Sequence, residues 1–135
     1  MTYAIADITG IAPALRAKLK GVGIRTTGKL LESAKRSKDR KALAKKIDID
    51  ARIVLSIANL ADRMRIKGVG QEYAELLHAA GVDTVNELRY RNPANLAKKM
   101  AEANAERKLV RVLPSELMIQ RWIEHAKKLP LKITY

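Results

Sequence analysis

The sequence contains no cysteine. Disulfides and zinc–thiolate centres are therefore excluded, and nothing points to an oxidising compartment. It has no phenylalanine and a single tryptophan, Trp122. A core without large aromatics must be assembled from Ala, Leu, Ile and Val, and alanine and leucine favour close-packed helices over a sheet. No apolar run approaches the ~20 residues needed to span a bilayer. The opening Met1-Thr2-Tyr3-Ala4-Ile5-Ala6-Asp7 lacks the basic start and long apolar stretch of a signal peptide. These absences predict a cytoplasmic protein without a membrane partner. Acidic residues are scarce too: 14 Asp and Glu face 27 Lys and Arg, for a net charge of +13.

An excess of that size attracts polyanions, so nucleic acid leads the candidate partners. The charge is unevenly spread. Between Arg16 and Lys46 stand twelve basic residues and only two acidic ones, Glu32 and Asp39. Helical spacing puts Lys38, Lys41 and Lys45 on one side of a helix there, with Leu43 and Ile47 turned inward.

An internal repeat organises the chain. Ile8-Thr9-Gly10-Ile11 runs on to Leu19, Gly23, Thr26 and Leu30, and Ile66-Lys67-Gly68-Val69 runs on to Leu77, Gly81, Thr84 and Leu88, always 58 residues later. With a shorter offset, Leu43-Ala44-Lys45-Lys46-Ile47 mirrors Leu96-Ala97-Lys98-Lys99-Met100. The pattern predicts an all-α chain of two pseudo-symmetric units, 1–65 and 66–135. Pro13 suits a first helical turn. Thr26, Ser37, Thr84 and Asn92 read as helix caps, and Pro114-Ser115 opens a last helix whose apolar stripe holds Leu117, Met118, Trp122, Ile123 and Ala126. A helix from Asp48 or Asp50 to about Met64 is apolar around so much of its circumference that it reads as central, buried and shared by both units.

The corner Arg65-Ile66-Lys67-Gly68-Val69-Gly70-Gln71 lies between two helical patterns. Its apolar–x–Gly–apolar–Gly spacing, followed by the small Ala74, resembles the helix-hairpin-helix family. Glycines allow the tight turn and let the backbone approach a phosphate. The next helix offers free N–H groups and the positive end of its dipole. Arg65 and Lys67 add charge. Such contacts touch phosphate rather than base, so sequence preference is expected to be weak. The competing reading is a helix–helix corner that uses its glycines only for packing. Gly10 and Ile11 belong to a shorter copy, in which Ala12 replaces the second glycine and too few residues precede for a full first helix. The corner at Asp48 and Asp50 reads as structural, because two carboxylates repel phosphate. The basic stretch from Ala105 to Leu113 is either an auxiliary contact or a solvated loop.

Taken whole, the chain resembles the DUF4332 family. The likeness is carried by Ile8-x-Gly10-Ile11, by Gly23-Ile24-x-Thr26-Thr27-x-x-Leu30-Leu31, by Leu60-Ala61-Asp62-x-Met64-x-Ile66-x-Gly68-Val69-Gly70, by Gly81-Val82-x-Thr84-Val85, by Arg91-Asn92-Pro93-x-Asn95-Leu96, and by Pro114-Ser115 with Trp122-Ile123-x-x-Ala126. It implies tandem helix-hairpin-helix units of the SAM-like kind. By resemblance to other hairpins, the carbonyls of Met64, Ile66 and Val69 would ligate a monovalent cation when DNA is bound.

Catalytic patterns are weak. His78 and His125 fall in different helices without metal-ligand spacing, Gly68-Val69-Gly70 is not followed by a Walker lysine, and Glu72 and Glu75 read as a solvated pair. The expectation is a non-enzymatic module without cofactor that binds duplex DNA, with RNA also open. The alternative is a SAM-like scaffold for an acidic protein partner.

Overall fold

Several helices begin where the sequence supplies a side-chain acceptor for an otherwise orphaned amide. The structure, a computed structural model, describes residues 2–135. A 3₁₀ turn at Ile5–Asp7 precedes α1 (Pro13–Gly21), α2 (Thr27–Ser33), α3 (Ser37–Ile47), α4 (Ala51–Arg63), α5 (Gln71–Ala79), α6 (Val85–Leu88), α7 (Pro93–Arg107) and α8 (Glu116–Lys128). The hydroxyls of Thr26, Thr84 and Ser115 accept the amides of Lys29, Glu87 and Met118 at 3.1, 3.2 and 3.1 Å. The Asn92 amide oxygen accepts that of Asn95 at 3.0 Å. Such caps stabilise a helix by about 1 kcal/mol each. Ser37 is not a cap: Arg36 holds that position, and its amide donates to the Asp39 carboxylate at 3.2 Å. The fold is all-α. Among the described residues no strand forms, and an isolated antiparallel bridge joins Ala4 to Thr26.

The chain divides into two units, one of residues 1–62 with 132–135 and one of residues 63–131. The division falls at the end of α4, and the last four residues join the first unit. There α2 packs on α3, burying Leu30, Leu31, Leu43 and Ile47. In the second unit α7 packs on α8, α5 on α7 and α6 on α8, around Leu76, Leu77, Leu88, Leu96, Met100, Ile119 and Trp122.

Helix α4 departs from the sequence reading. Val54, Ala58 and Ala61 are buried, but Ile53 is 45% exposed and Leu55, Ile57 and Leu60 are half-buried. Its apolar residues spread over more of the circumference than one packing face covers, so those on the flanks stay partly wet. Leu117, expected in the apolar stripe of α8, is also exposed, and Ile119 takes the inward place. Helix α7 runs on to Arg107, absorbing the start of the expected loop, and ends at Lys108 in the left-handed region with φ 52°.

A few of the basic side chains are structural. Arg40, only 5% exposed, donates to the carbonyls of Ala34, Lys35 and Thr134 at 3.0, 2.9 and 2.8 Å and lies over the Tyr135 ring. Arg63 donates to Ala74 and Asp83 carbonyls at 2.8 and 2.9 Å. Arg89 holds the carbonyls of Ala126 and Leu129 at the end of α8. A guanidinium has enough rigidly placed donors to gather several carbonyls, and helix C-termini favour its charge.

Candidate nucleic-acid interface

The corner after α4 is built by two short backbone bonds. The Ile66 amide donates to the Arg63 carbonyl at 3.3 Å and the Val69 amide to the Ile66 carbonyl at 3.0 Å. Between them Gly68 takes φ +88°, which a side chain would strain. Gly70 is the N-cap of α5 and has no side chain with which to cap it. The Ala74 amide donates to the Gly70 carbonyl at 2.9 Å, and Ala74 is fully buried, so only a small residue fits beneath the turn. Ile66 and Val69 are fully buried and anchor the corner, while Lys67, Gly68 and Gly70 stand exposed. Among the described residues the amides of Gly68 and Gly70 donate to nothing.

Several expected site residues lie elsewhere. Arg65 is buried and donates to the Pro130 carbonyl at 2.5 Å, so its charge braces the second unit instead of meeting solvent. The Val69 amide is spent on Ile66, and Val69 contributes packing only. The Ile66 carbonyl accepts that same bond and keeps a second lone pair. Gln71 begins α5, where its side chain donates to Glu75 at 3.1 Å.

The corner instead acquires neighbours from α8. The Lys67 amide donates to Nδ1 of His125 at 3.1 Å. A Cβ placed on Gly68 would sit 3.4 Å from Nε1 of Trp122. Trp122 is 3% exposed, as expected of a core residue. Tyr73 packs on it with ring centroids 5.3 Å apart, and its hydroxyl donates to the Val112 carbonyl at 3.2 Å. Arg121 and Lys128 complete this side, all facing a groove of about 510 Å³. The spacing of Arg121, His125 and Lys128 along α8 was the only sequence signal for this grouping; nothing in it named the hairpin as their neighbour.

Burial, and then the positive charges of Lys128 and Lys67, push the His125 imidazole below its usual 6.5. The folded chain therefore holds the ring neutral, with Nδ1 free to accept. As pH falls below 6.5 the unfolded ring protonates first. This contribution to stability is complete above 6.5 and is lost as pH drops through the lower folded value. Urea midpoints measured from about pH 7 to about pH 5 should fall less for His125→Gln, which keeps an acceptor but does not titrate. Parallel profiles for the two proteins would show that the bond carries no linkage.

The model of a family described as a domain of unknown function, DUF4332, matches residues 9–129. The chain belongs to the DUF4332 family. No curated protein and no solved structure matches it. The DUF4332 match contains both glycine corners and all of α8.

The earlier corner of this DUF4332 chain repeats the local geometry. Gly10 has φ +87° against +88° at Gly68, and Gly23 has +81° against +93° at Gly81. The Ile24 amide donates to the Leu19 carbonyl at 2.9 Å, as that of Val82 does to Leu77. Gly10 is exposed and Ile11 buried, like Gly68 and Val69. One difference matters. Arg16 donates to the carbonyls of Ile11 and Ala6 at 3.1 and 3.2 Å, occupying oxygens that would otherwise face outward. Among the described residues the 3₁₀ turn at Ile5–Asp7 precedes this corner.

Within the first unit of the DUF4332 chain, Lys38, Lys41 and Lys45 are exposed on α3 while Leu43 and Ile47 are buried. The corner from α3 to α4 carries Asp48 with φ 56° and Asp50, whose carboxyl is held down to about 2 by hydrogen bonds and the charge of Arg52. It stays anionic at any physiological pH. Among the described residues no group of three or more His, Asp or Glu is placed to hold a metal ion, and no helix is long and apolar enough to cross a membrane.

Proposed function

We propose that this chain is a non-enzymatic, tandem helix-hairpin-helix module that grips nucleic-acid backbone, with duplex DNA as its first partner and weak sequence preference. One observation carries the reading. The exposed amides of Gly68 and Gly70 are unspent, and they stand with Lys67 at the uncapped start of α5. Amides and a helix dipole directed at one point favour an anion there. The recurrence of the same glycine angles and turn bonds 58 residues apart supports a tandem arrangement with Gly10 as the lesser copy.

Binding of labelled duplex DNA, single-stranded DNA and RNA across a salt series tests this. The affinity for duplex should fall linearly on a log–log plot against salt and be alike for unrelated sequences. Tighter binding of RNA would move the partner to RNA. Absence of binding to all three would favour an acidic protein partner.

The α3 face gives a second test. Changing Lys38, Lys41 and Lys45 together to Gln should weaken binding to all sequences alike and flatten the salt slope by roughly 0.9 per lost phosphate contact. An unchanged slope would show that the face is merely solvated.

A further inference from the structure

The groove beside the hairpin holds a donor with no protein acceptor. Trp122 is 3% exposed, and among the described residues its Nε1–H has no acceptor. Tryptophan can only donate, so a protein oxygen cannot be gained by turning the group around. Among the described residues no buried side-chain nitrogen or oxygen lacks a partner, so this N–H is not sealed in the core but opens to the groove, where it can donate to a ligand. Gly68 lies beside this N–H: a Cβ there would sit 3.4 Å from Nε1, in van der Waals contact.

Around it the groove gathers Lys67 and Gly68 from the corner and Arg121, His125 and Lys128 from α8. Lys67, Arg121 and Lys128 are exposed and form no ion pair among the described residues. His125 uses Nδ1 to accept from Lys67, so its neutral ring carries the proton on Nε2 and donates from there. The one carboxylate on the rim, Glu124, accepts from Gln120 at 3.5 Å. The site is thus rich in donors and cations, and its shape accepts a ligand larger than water.

We infer that this groove is a phosphate site, in which the indole N–H of Trp122 and the side chains of Arg121 and Lys128 hold a phosphate group beside the hairpin. A phosphate offers several acceptors and no obligatory donor, and a guanidinium matches two of its oxygens at once. The inference rests on the backbone-binding reading only for the source of that phosphate: a diester within a strand or a monoester at its end.

Trp122 is the sole tryptophan, so its indole reports on the site directly. The full chain is titrated with inorganic phosphate, and with duplexes bearing 5′-phosphate or 5′-hydroxyl ends, following indole fluorescence and the indole N–H resonance. Chloride at matched ionic strength is the control. Phosphate should give a saturable shift that chloride does not, and Arg121→Gln or Lys128→Gln should weaken it about tenfold, as expected for one charge-assisted contact. Both side chains are exposed, so the fold should survive. A stronger indole response to the 5′-phosphate duplex identifies a strand end, and equal responses identify an internal diester. If duplex binds across the salt series but inorganic phosphate leaves the indole unmoved, the groove inference fails and the backbone reading stands. If phosphate moves the indole and no nucleic acid binds, the backbone reading fails instead. A phosphate response that Arg121→Gln and Lys128→Gln both leave unchanged also overturns the inference.

Discussion

Lys67→Glu is expected to weaken duplex binding by about 10- to 100-fold at low salt. A hydrogen bond to a charged group contributes about 1.5–3 kcal/mol, and about 1.4 kcal/mol is a factor of ten. The reversal removes one such contact and sets a carboxylate beside the Gly68 and Gly70 amides. Lys67 is exposed and its own amide, not its side chain, makes the bond to His125. The fold should therefore stay within ~0.5 kcal/mol. The loss should shrink as salt rises, because exposed charges are screened. Asp48→Asn is the matched control at the anionic corner. Asn tolerates the left-handed backbone of Asp48, and binding there should hold or rise. If Lys67→Glu remains folded and binds duplex as the unaltered protein does, the corner serves packing alone.

Arg40→Ala should have the largest effect on stability, about 3–5 kcal/mol. Its guanidinium is buried and donates to three carbonyls, those of Ala34, Lys35 and Thr134. The Lys35 carbonyl keeps the Thr134 amide at 2.8 Å, but those of Ala34 and Thr134 lose this donor at about 1–3 kcal/mol each, and water entering the gap offsets part of that sum. Against a total stability of about 5–15 kcal/mol the first unit would approach unfolding. Arg40→Lys should recover less than half, because an ammonium lacks the planar fork that reaches separate carbonyls. Urea denaturation followed by helix content measures both. A loss under about 1 kcal/mol for Arg40→Ala would mean that the carbonyls are as well served by water.

The helices were largely legible because what starts and stops them is local. Thr26, Thr84, Asn92 and Ser115 each cap within three residues of the amide they serve, and Pro13 and Pro93 each open a helix where no amide is needed. Ser37 misled for the same reason: its residue type fits a cap, but the neighbouring Arg36–Asp39 pair took that role. The amphipathic side of α3 followed from spacing alone. Helix α4 did not, because the count of apolar residues exceeds the area its neighbours cover, and periodicity does not report how wide a packing face is.

The sequence by itself determined the all-α class, the DUF4332 family, the places where helices begin, and the glycines that require a left-handed backbone. Each of these depends on residues a few positions apart or on a repeated pattern, and such information is present in the order of the chain. Only the tertiary structure decided which cations are free. Arg65 read as charge facing a phosphate, yet it is buried, as are Arg40 and Arg63, against carbonyls up to 94 residues away. It alone also brought His125 and Trp122 of α8 against Lys67 and Gly68, linking residues 58 apart through one hydrogen bond. Packing chooses such neighbours by shape and by the need to satisfy buried polar groups, and neither is written in local spacing.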